Sequence, residues 1–385
     1  MKLLGFTSTR ADYDLLSHLY KKFDEDKGSK IELIVSGSHL SKEYGMSINQ
    51  VCNDGIQILA KIQSLLAYDS KASRVKTSSI FLQNSIEHIS KYNPDVLLYA
   101  GDREDTLCAA MIGSYLQVPS VHFYGGDHVT DGHVDNPVRH AISKLSSVHM
   151  VTLPEHKRRL MAMGEPEERI HVVGALSLDR FVEHKPDPRD ALLEKFGLND
   201  QPYALVIFHP QDREIGNSAE YLKRIVSTLR ERGLLCFVAY PNTDPDNKSL
   251  IEILKEYDNR DKIYVYQSLK RDTFLSLYKN ANIQVGNSSA GIVEAASIPV
   301  PVVNVGKRQT SRAAGQNVIF SGTSKEEIKT AIDRALSPSF IKSIQGIQNI
   351  YGDGKSTQRA FRIIKEVDLS EFLYKTEDPL DSYVK

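Results

Sequence analysis

Short apolar runs rich in Val, Ile and Tyr alternate along the chain with segments whose apolar residues recur at helical spacing, the pattern of βαβ units that build a parallel sheet. Two such series occur. The first predicts strands at Lys2–Thr7, Ile31–Ser36, Val96–Ala100, Ser120–Tyr124, His149–Leu153 and His171–Val173, with helices around 11–24, 77–92, 104–117, 137–147 and 154–163. The second restarts at Tyr203–Phe208 and continues through Leu235–Tyr240, Lys262–Tyr266, Ile283–Val285 and Val300–Val305. Between them, His184-Lys185-Pro186-Asp187-Pro188-Arg189-Asp190 breaks both periods, as an interdomain linker does. A helix from 324 to 336, a break at Pro338, a loop at Tyr351-Gly352-Asp353-Gly354 and a last helix from Ser356 complete the chain. The expected fold is α/β, with two Rossmann-like, doubly wound parallel-sheet domains facing one cleft. The first is placed at 1–183, joined by the tail 366–385, and the second at 190–365.

Composition narrows the function classes. The chain has 385 residues, 41% hydrophobic and 25% charged, with 48 basic against 49 acidic residues, so nothing marks it for sequence-independent nucleic-acid binding. Any anion must be held locally. Three widely spaced cysteines, Cys52, Cys108 and Cys236, suggest neither disulfides nor a thiolate metal site. The apolar run at the start is too short for a signal peptide, and no run approaches the roughly 18 apolar residues of a membrane span. The expectation is a cytoplasmic protein with no nucleic-acid and no membrane partner.

In parallel α/β sheets ligands bind beyond the carboxyl ends of the strands, so the residues after each predicted strand carry the chemistry. The first series supplies Arg10, then Gly37-Ser38-His39, then Gly101-Asp102-Arg103, then Gly125-Gly126-Asp127-His128, with Asp135 opening the next helix and Arg139 one turn on. Asp102, Asp127 and Asp135 form a carboxylate set able to divide acid and base roles; singly, Asp102 and Asp135 also suit helix caps. The second series supplies His209-Pro210-Gln211, Asn242-Thr243-Asp244, and the turn Gly286-Asn287-Ser288-Ser289-Ala290-Gly291 with Glu294. That turn offers free backbone N–H groups and a helix dipole to a phosphate, or simply an N-cap serine closing a buried helix. Arg308 and Arg312 follow the next strand and can add charge to the same anion. His and Asp between 127 and 135 could also be read as metal ligands, but they match no recognised zinc spacing. Gly354-Lys355-Ser356 fails as a P-loop because Asn349 stands where its first glycine belongs, and no Gly-x-Gly-x-x-Gly follows the first strand.

Together these motifs resemble the UDP-N-acetylglucosamine 2-epimerase family over nearly the whole chain. The resemblance rests on Arg10 in Thr-Arg-Ala-Asp-Tyr, Gly101-Asp102-Arg103, Gly125-Gly126-Asp127, Asp135 with Arg139-His140-Ala141-Ile142-Ser143-Lys144, His209-Pro210, Gly286-Asn287-Ser288-Ser289, Gly291 with Glu294, and Arg308 with Arg312. It implies a glycosyltransferase-B-like architecture, a homodimer, a nucleotide-sugar substrate and no metal or redox cofactor. Arg-Ala-Asp-Tyr and Arg-His-Ala-Ile-Ser-Lys resemble the hydrolysing branch, which serves nonulosonic (sialic or legionaminic) acid synthesis. The implied reaction turns UDP-N-acetylglucosamine and water into N-acetylmannosamine and UDP, by elimination to a glycal and hydration. The same reaction on a UDP- or GDP-linked 2,4-diacetamido-2,4,6-trideoxyglucose, a non-hydrolysing 2-epimerase, a glycosyltransferase and a non-catalytic sugar-nucleotide binder are the alternatives. Asp102, Asp127, Asp135 and His209 are the implied catalytic residues. Arg10, His39, Arg103, Arg139, Asn242, Asn287, Ser288, Ser289, Gly291, Glu294, Arg308 and Arg312 are the expected substrate contacts. Asp127 stands where the family usually has Glu, and Asn136 where an acid is common.

Overall fold

Seven parallel strands build the first sheet: β1 (Lys2–Thr7), β2 (Lys30–Ser36), β3 (Gln57–Ile62), β4 (Val96–Ala100), β5 (Ser120–Phe123), β6 (Val148–Val151) and β7 (Ile170–Val172). Their order is β3-β2-β1-β4-β5-β6-β7. A second sheet of six parallel strands, β8 (Tyr203–Ile207), β9 (Leu235–Ala239), β10 (Ile263–Tyr266), β11 (Ile283–Gly286), β12 (Val302–Val305) and β13 (Val318–Ser321), runs β10-β9-β8-β11-β12-β13. This computed structural model describes residues 1–66, 70–130, 134–210, 216–242, 244, 246–257 and 262–382.

The strands are continuous apolar runs because helices cover both faces of each sheet. Alternate residues of one strand therefore enter different cores. Leu3 packs with Tyr20 and Phe23 of the helix Arg10–Asp24 and with Ala360 and Ile364 of the helix Ser356–Glu366. Its neighbour Leu4 packs with Phe81 of the helix Lys71–Tyr92, Ile112 of the helix Glu104–Leu116 and Ile142 of the helix Asp135–Leu145. In the second sheet Val206 and Leu205 divide in the same way. Each fully buried Leu or Phe contributes about 1.5–3 kcal/mol of transfer free energy.

The strand order reverses between β1 and β4 and again between β8 and β11. At such a switch point the connecting loops leave in opposite directions, opening a crevice beyond the carboxyl ends of the two strands. Thr7 and Ala100 end the first pair; Ile207 and Gly286, aligned across the ladder, end the second.

Two expectations need correction. The periodicity misses β3 and β13, which are both edge strands with exposed or half-exposed polar positions such as Gln57, Lys61 and Ser321. The domain limits also differ. The described residues of Met1–His128, Val134–Asp179 and Tyr351–Lys385 form one unit, and those of Val129–His133 and Arg180–Ile350 the other. The second unit thus ends before the helix Ser356–Glu366 rather than after it, because Ala360 and Ile364 belong to the first core. The carboxylate of Asp179 seals this return, accepting the backbone N–H groups of Ser356 (3.0 Å) and Thr357 (2.7 Å) at the helix start. The expected linker is not free chain: the Asp187 N–H donates to the hydroxyl of Ser276 at 3.1 Å, and His184 Nε2 lies 2.8 Å from the same oxygen. Pro338 opens a further helix, Pro338–Ser343, behind the cap Ser337. No helix among the described residues is long and apolar enough to cross a membrane.

Candidate active site

At the first switch point the sequence places Thr9 before an apolar-periodic helix, and the two ends of a capping box form: Thr9 Oγ1 accepts from Asp12 N–H at 3.2 Å, and Asp12 Oδ2 accepts from Thr9 N–H at 3.1 Å. This fixes Arg10 at the first helical position, where its guanidinium pairs with Asp14 at 3.7 Å. His39, expected as a substrate contact, turns its ring into the protein. It is wholly buried, with Thr7 Oγ1 and Ser47 Oγ each 2.8 Å from its ring nitrogens, and burial pulls its imidazole down to about 4, so it stays neutral and braces the loop.

Arg139 organises the carboxylates. Only 2% of its side chain is exposed. One guanidinium nitrogen donates to the Asp102 carboxylate, and the other to the Asp127 carbonyl at 3.0 Å and to Asn136 Oδ1 at 3.3 Å. Burial opposes its charge, but Asp102, Asp127 and Asp135 outweigh that cost and hold it protonated above the usual arginine range. The three predicted carboxylates therefore gather around one buried cation. Asp127 Oδ1 also accepts the His128 backbone N–H at 2.8 Å and lies 3.5 Å from His156 Nε2. Asp135 faces Arg74 at 3.5 Å, and Arg74 also pairs with Glu104. Asn136, where an acid is common in the resembling family, serves as one of the acceptors of Arg139.

Several residues here escaped sequence reasoning. His122 is fully buried, and its Nε2 donates to the carbonyl of Gly101 at 2.8 Å, immediately before Asp102. Burial pulls its ring down to about 3, so it acts as a neutral strut. The signal was a histidine inside an apolar strand. Asp12 and Asp105 form a second carboxyl pair, with the Ser8 hydroxyl donating to Asp12 at 2.8 Å. Burial pushes Asp105 up to about 6, Asp12 adds to the rise, and Ser8 and Arg103 oppose it. Arg103 thus directs its charge at this pair.

At the second switch point the loops after β8, β9, β11 and β12 share one network. Asn287 is completely buried, and its amide bonds the backbone of His209 both ways, accepting from its N–H at 2.8 Å and donating to its carbonyl at 2.9 Å. Asn287 thus staples the loop that carries His209. His209 Nδ1 accepts the backbone N–H of Asn242 at 3.2 Å, which places the proton of the neutral ring on Nε2. The Asn242 amide donates to the carboxylate of buried Asp244, which also accepts from Arg308 at 3.4 Å. Arg308 and Gln309 both reach the Asn287 carbonyl, at 3.5 and 3.1 Å, and Arg312 donates to Gln309 Oε1.

Ser288 caps the helix Ser289–Val293 through the Ala290 N–H, and Ser289 is exposed beside it. This helix has only five residues, so its dipole is slight and an anion would draw its counter-charge from Arg308 and Arg312. At Gly291 a Cβ would lie 2.9 Å from both Gln284 Oε1 and Val302 Cγ1, so glycine lets helix and sheet approach. Glu294, 7% exposed, pairs with Arg180 at 3.1 Å. Gln211 and Thr243, read from the same loops, and Asp131 and His133 of the weighed metal cluster lie outside the described residues. Among the described residues, no group of three or more His, Cys, Asp or Glu side chains could hold a metal ion.

A family model described as UDP-N-acetylglucosamine 2-epimerase matches residues 21–365. The chain is 34% identical to a UDP-N,N'-diacetylbacillosamine 2-epimerase (hydrolyzing) of Legionella pneumophila, covering 97% of this chain and 98% of that protein. It is 31% identical to a UDP-N-acetylglucosamine 2-epimerase of Neisseria meningitidis, covering 87% and 88%. Among solved structures, a UDP-GlcNAc 2-epimerase from Neisseria meningitidis bound to UDP-GlcNAc superposes with a TM-score of 0.78 at 16% identity, covering 95% of this chain and all of that one.

Proposed function

The chain belongs to the UDP-N-acetylglucosamine 2-epimerase family, and from that premise we propose that it is a hydrolysing 2-epimerase of a nucleotide-linked 2-acetamido sugar. Its relative named as hydrolyzing aligns over nearly the full length and acts by its name on diacetylbacillosamine, which favours UDP-linked diacetamido-trideoxyglucose as substrate. UDP-N-acetylglucosamine is the second reading, favoured by the Neisseria relative. The cytoplasmic setting and the homodimer implied by the resemblance belong to the same proposal, and sedimentation of the purified protein checks the dimer.

The observation that carries the chemistry is the gathering of Asp102, Asp127 and Asp135 around buried Arg139. Hydrogen at sugar C2 is not acidic by itself, so its removal must accompany loss of the C1 substituent. A carboxylate of this set takes the C2 proton, the C1–O bond breaks with its electron pair leaving on the diphosphate, and a glycal results. His209, with its proton on Nε2, and Arg308 and Arg312 supply hydrogen bonds and charge to the departing diphosphate, as does Arg10. Water then adds its oxygen to C1 while C2 gains a proton on the opposite face. The balance is nucleotide sugar plus water giving free epimerised sugar plus UDP.

The test is proton NMR of the protein in D2O with each substrate in turn. Free 2-epimerised sugar deuterated at C2, beside UDP, is the expected result. A UDP-linked epimer would replace hydrolysis by non-hydrolysing epimerisation, and a released sugar with C2 retained would overturn epimerisation. Saturable binding without turnover would leave a binding protein.

A further inference from the structure

Behind the carboxylate site lies a second buried charge cluster that the proposed chemistry does not use. The side chain of Glu165 has no exposed surface, and two ammonium groups and an imidazole surround it: Lys144 Nζ at 2.7 Å, Lys375 Nζ at 2.7 Å and His149 Nε2 at 2.9 Å, the ring's pKa being lowered by burial. Lys375 comes from the carboxyl-terminal tail. Its ammonium also donates to the carbonyls of Ser143 at 3.2 Å and Lys144 at 3.0 Å, in the last turn of the helix Asp135–Leu145. A helix cannot satisfy these last carbonyls internally, and a cation suits the negative end of its dipole. The same helix begins at Asp135 and carries Arg139. The hydroxyl of Ser143 lies 3.0 Å from His122 Nδ1, whose Nε2 holds the Gly101 carbonyl beside Asp102.

We propose that Lys375 is a positioning residue for the Asp102–Arg139 site, locking the helix Asp135–Leu145 in place through Glu165 and the Ser143 and Lys144 carbonyls. Its kinetic consequence rests on the epimerase reading; its ionisation does not. An ammonium offers three N–H bonds to three acceptors, whereas a neutral amine has two, so loss of the proton releases one partner. Burial pulls the Lys375 amine down to about 8; Glu165 resists, and Lys144 and Arg169 reinforce the fall. The charged and titratable groups facing it are Lys144 from the helix, His122 from β5, His149 from β6, Glu165 from the loop beyond the helix Pro154–Ala162, Arg169 before β7, and Glu377 from the tail. Arg169 is itself bound to the tail, donating to Glu377 at 2.6 Å and to the Tyr374 carbonyl at 2.8 Å.

The experiment compares wild type with Lys375→Arg and Lys375→Met in two measurements. In turnover, kcat of the wild type is expected to fall on an alkaline limb with its midpoint near 8, with KM steady. Lys375→Arg, which stays charged, moves that limb upward; Lys375→Met abolishes it and lowers kcat about tenfold at every pH. Independently of turnover, the 13C-labelled Cε1 resonance of His149 is expected to step with the same midpoint in wild type and to stay flat in both variants. A limb unmoved in Lys375→Arg, or a His149 step that persists in Lys375→Met, overturns the proposal. A wild type that turns over neither UDP-sugar removes the epimerase reading, while the His149 step still decides whether Lys375 ionises there. Should Lys375→Arg fail to fold, Lys375→Met carries both measurements.

Discussion

A buried guanidinium facing three carboxylates is a residue whose loss leaves like charges without their cation. Arg139→Met is therefore expected to lower the unfolding free energy by about 3–5 kcal/mol, measured by urea denaturation. A change below about 1 kcal/mol would mean that Asp102, Asp127 and Asp135 do not depend on it. Asp105 makes a pH prediction. Its folded value, raised by burial to about 6 from the ordinary 3.8, means that the folded chain holds the proton more tightly than the unfolded one. Its stabilising contribution is complete below 3.8 and is lost as pH rises through about 6. Asp105→Asn should flatten the fall in stability over that window, and an unchanged slope in thermal melts across it would refute the assignment.

At the scale of elements, most strands were readable because burial on both faces writes a continuous apolar run. The strands β3 and β13 were not, since exposed or half-exposed polar positions interrupt their short runs. The positions of the candidate site were legible for a similar reason: polar residues stand just after strands, where Asp102, Asp127, His209 and Arg308 lie, while Asp135 opens a helix. Their division of labour was not legible, because it depends on which neighbours occupy a side chain's hydrogen bonds. Asn287, His39 and Gly291 look like ligand residues in sequence, yet the first two spend their polar groups on the protein and the third exists to let the helix Ser289–Val293 approach β11 and β12. Gly291→Ala should consequently cost about 1–3 kcal/mol in unfolding free energy. Should it instead weaken UDP binding at unchanged stability, Gly291 is a ligand position after all.

For the whole molecule, the division into two units depends on where the chain comes back. Asp179 accepts two backbone N–H groups at the start of the helix Ser356–Glu366, so Asp179→Ala should loosen that helix and everything after it. Hydrogen exchange over 356–366 is expected to quicken by about tenfold, corresponding to a cap worth about 1.4 kcal/mol, while exchange in the sheet β8–β13 stays unchanged. Equal protection in wild type and variant would show that apolar packing alone holds the return.

That return also dictates an order of events during synthesis. The second unit is drawn almost wholly from the single stretch Arg180–Ile350 and can close as soon as this stretch has left the ribosome. The first unit began to emerge earlier but must wait, because Ala360, Ile364 and Leu369 share its core with Leu3 and Phe23. Until they arrive, the nascent chain displays an unfilled apolar face on its oldest part, and during that interval it is most exposed to chaperones and to mispairing with a neighbouring chain.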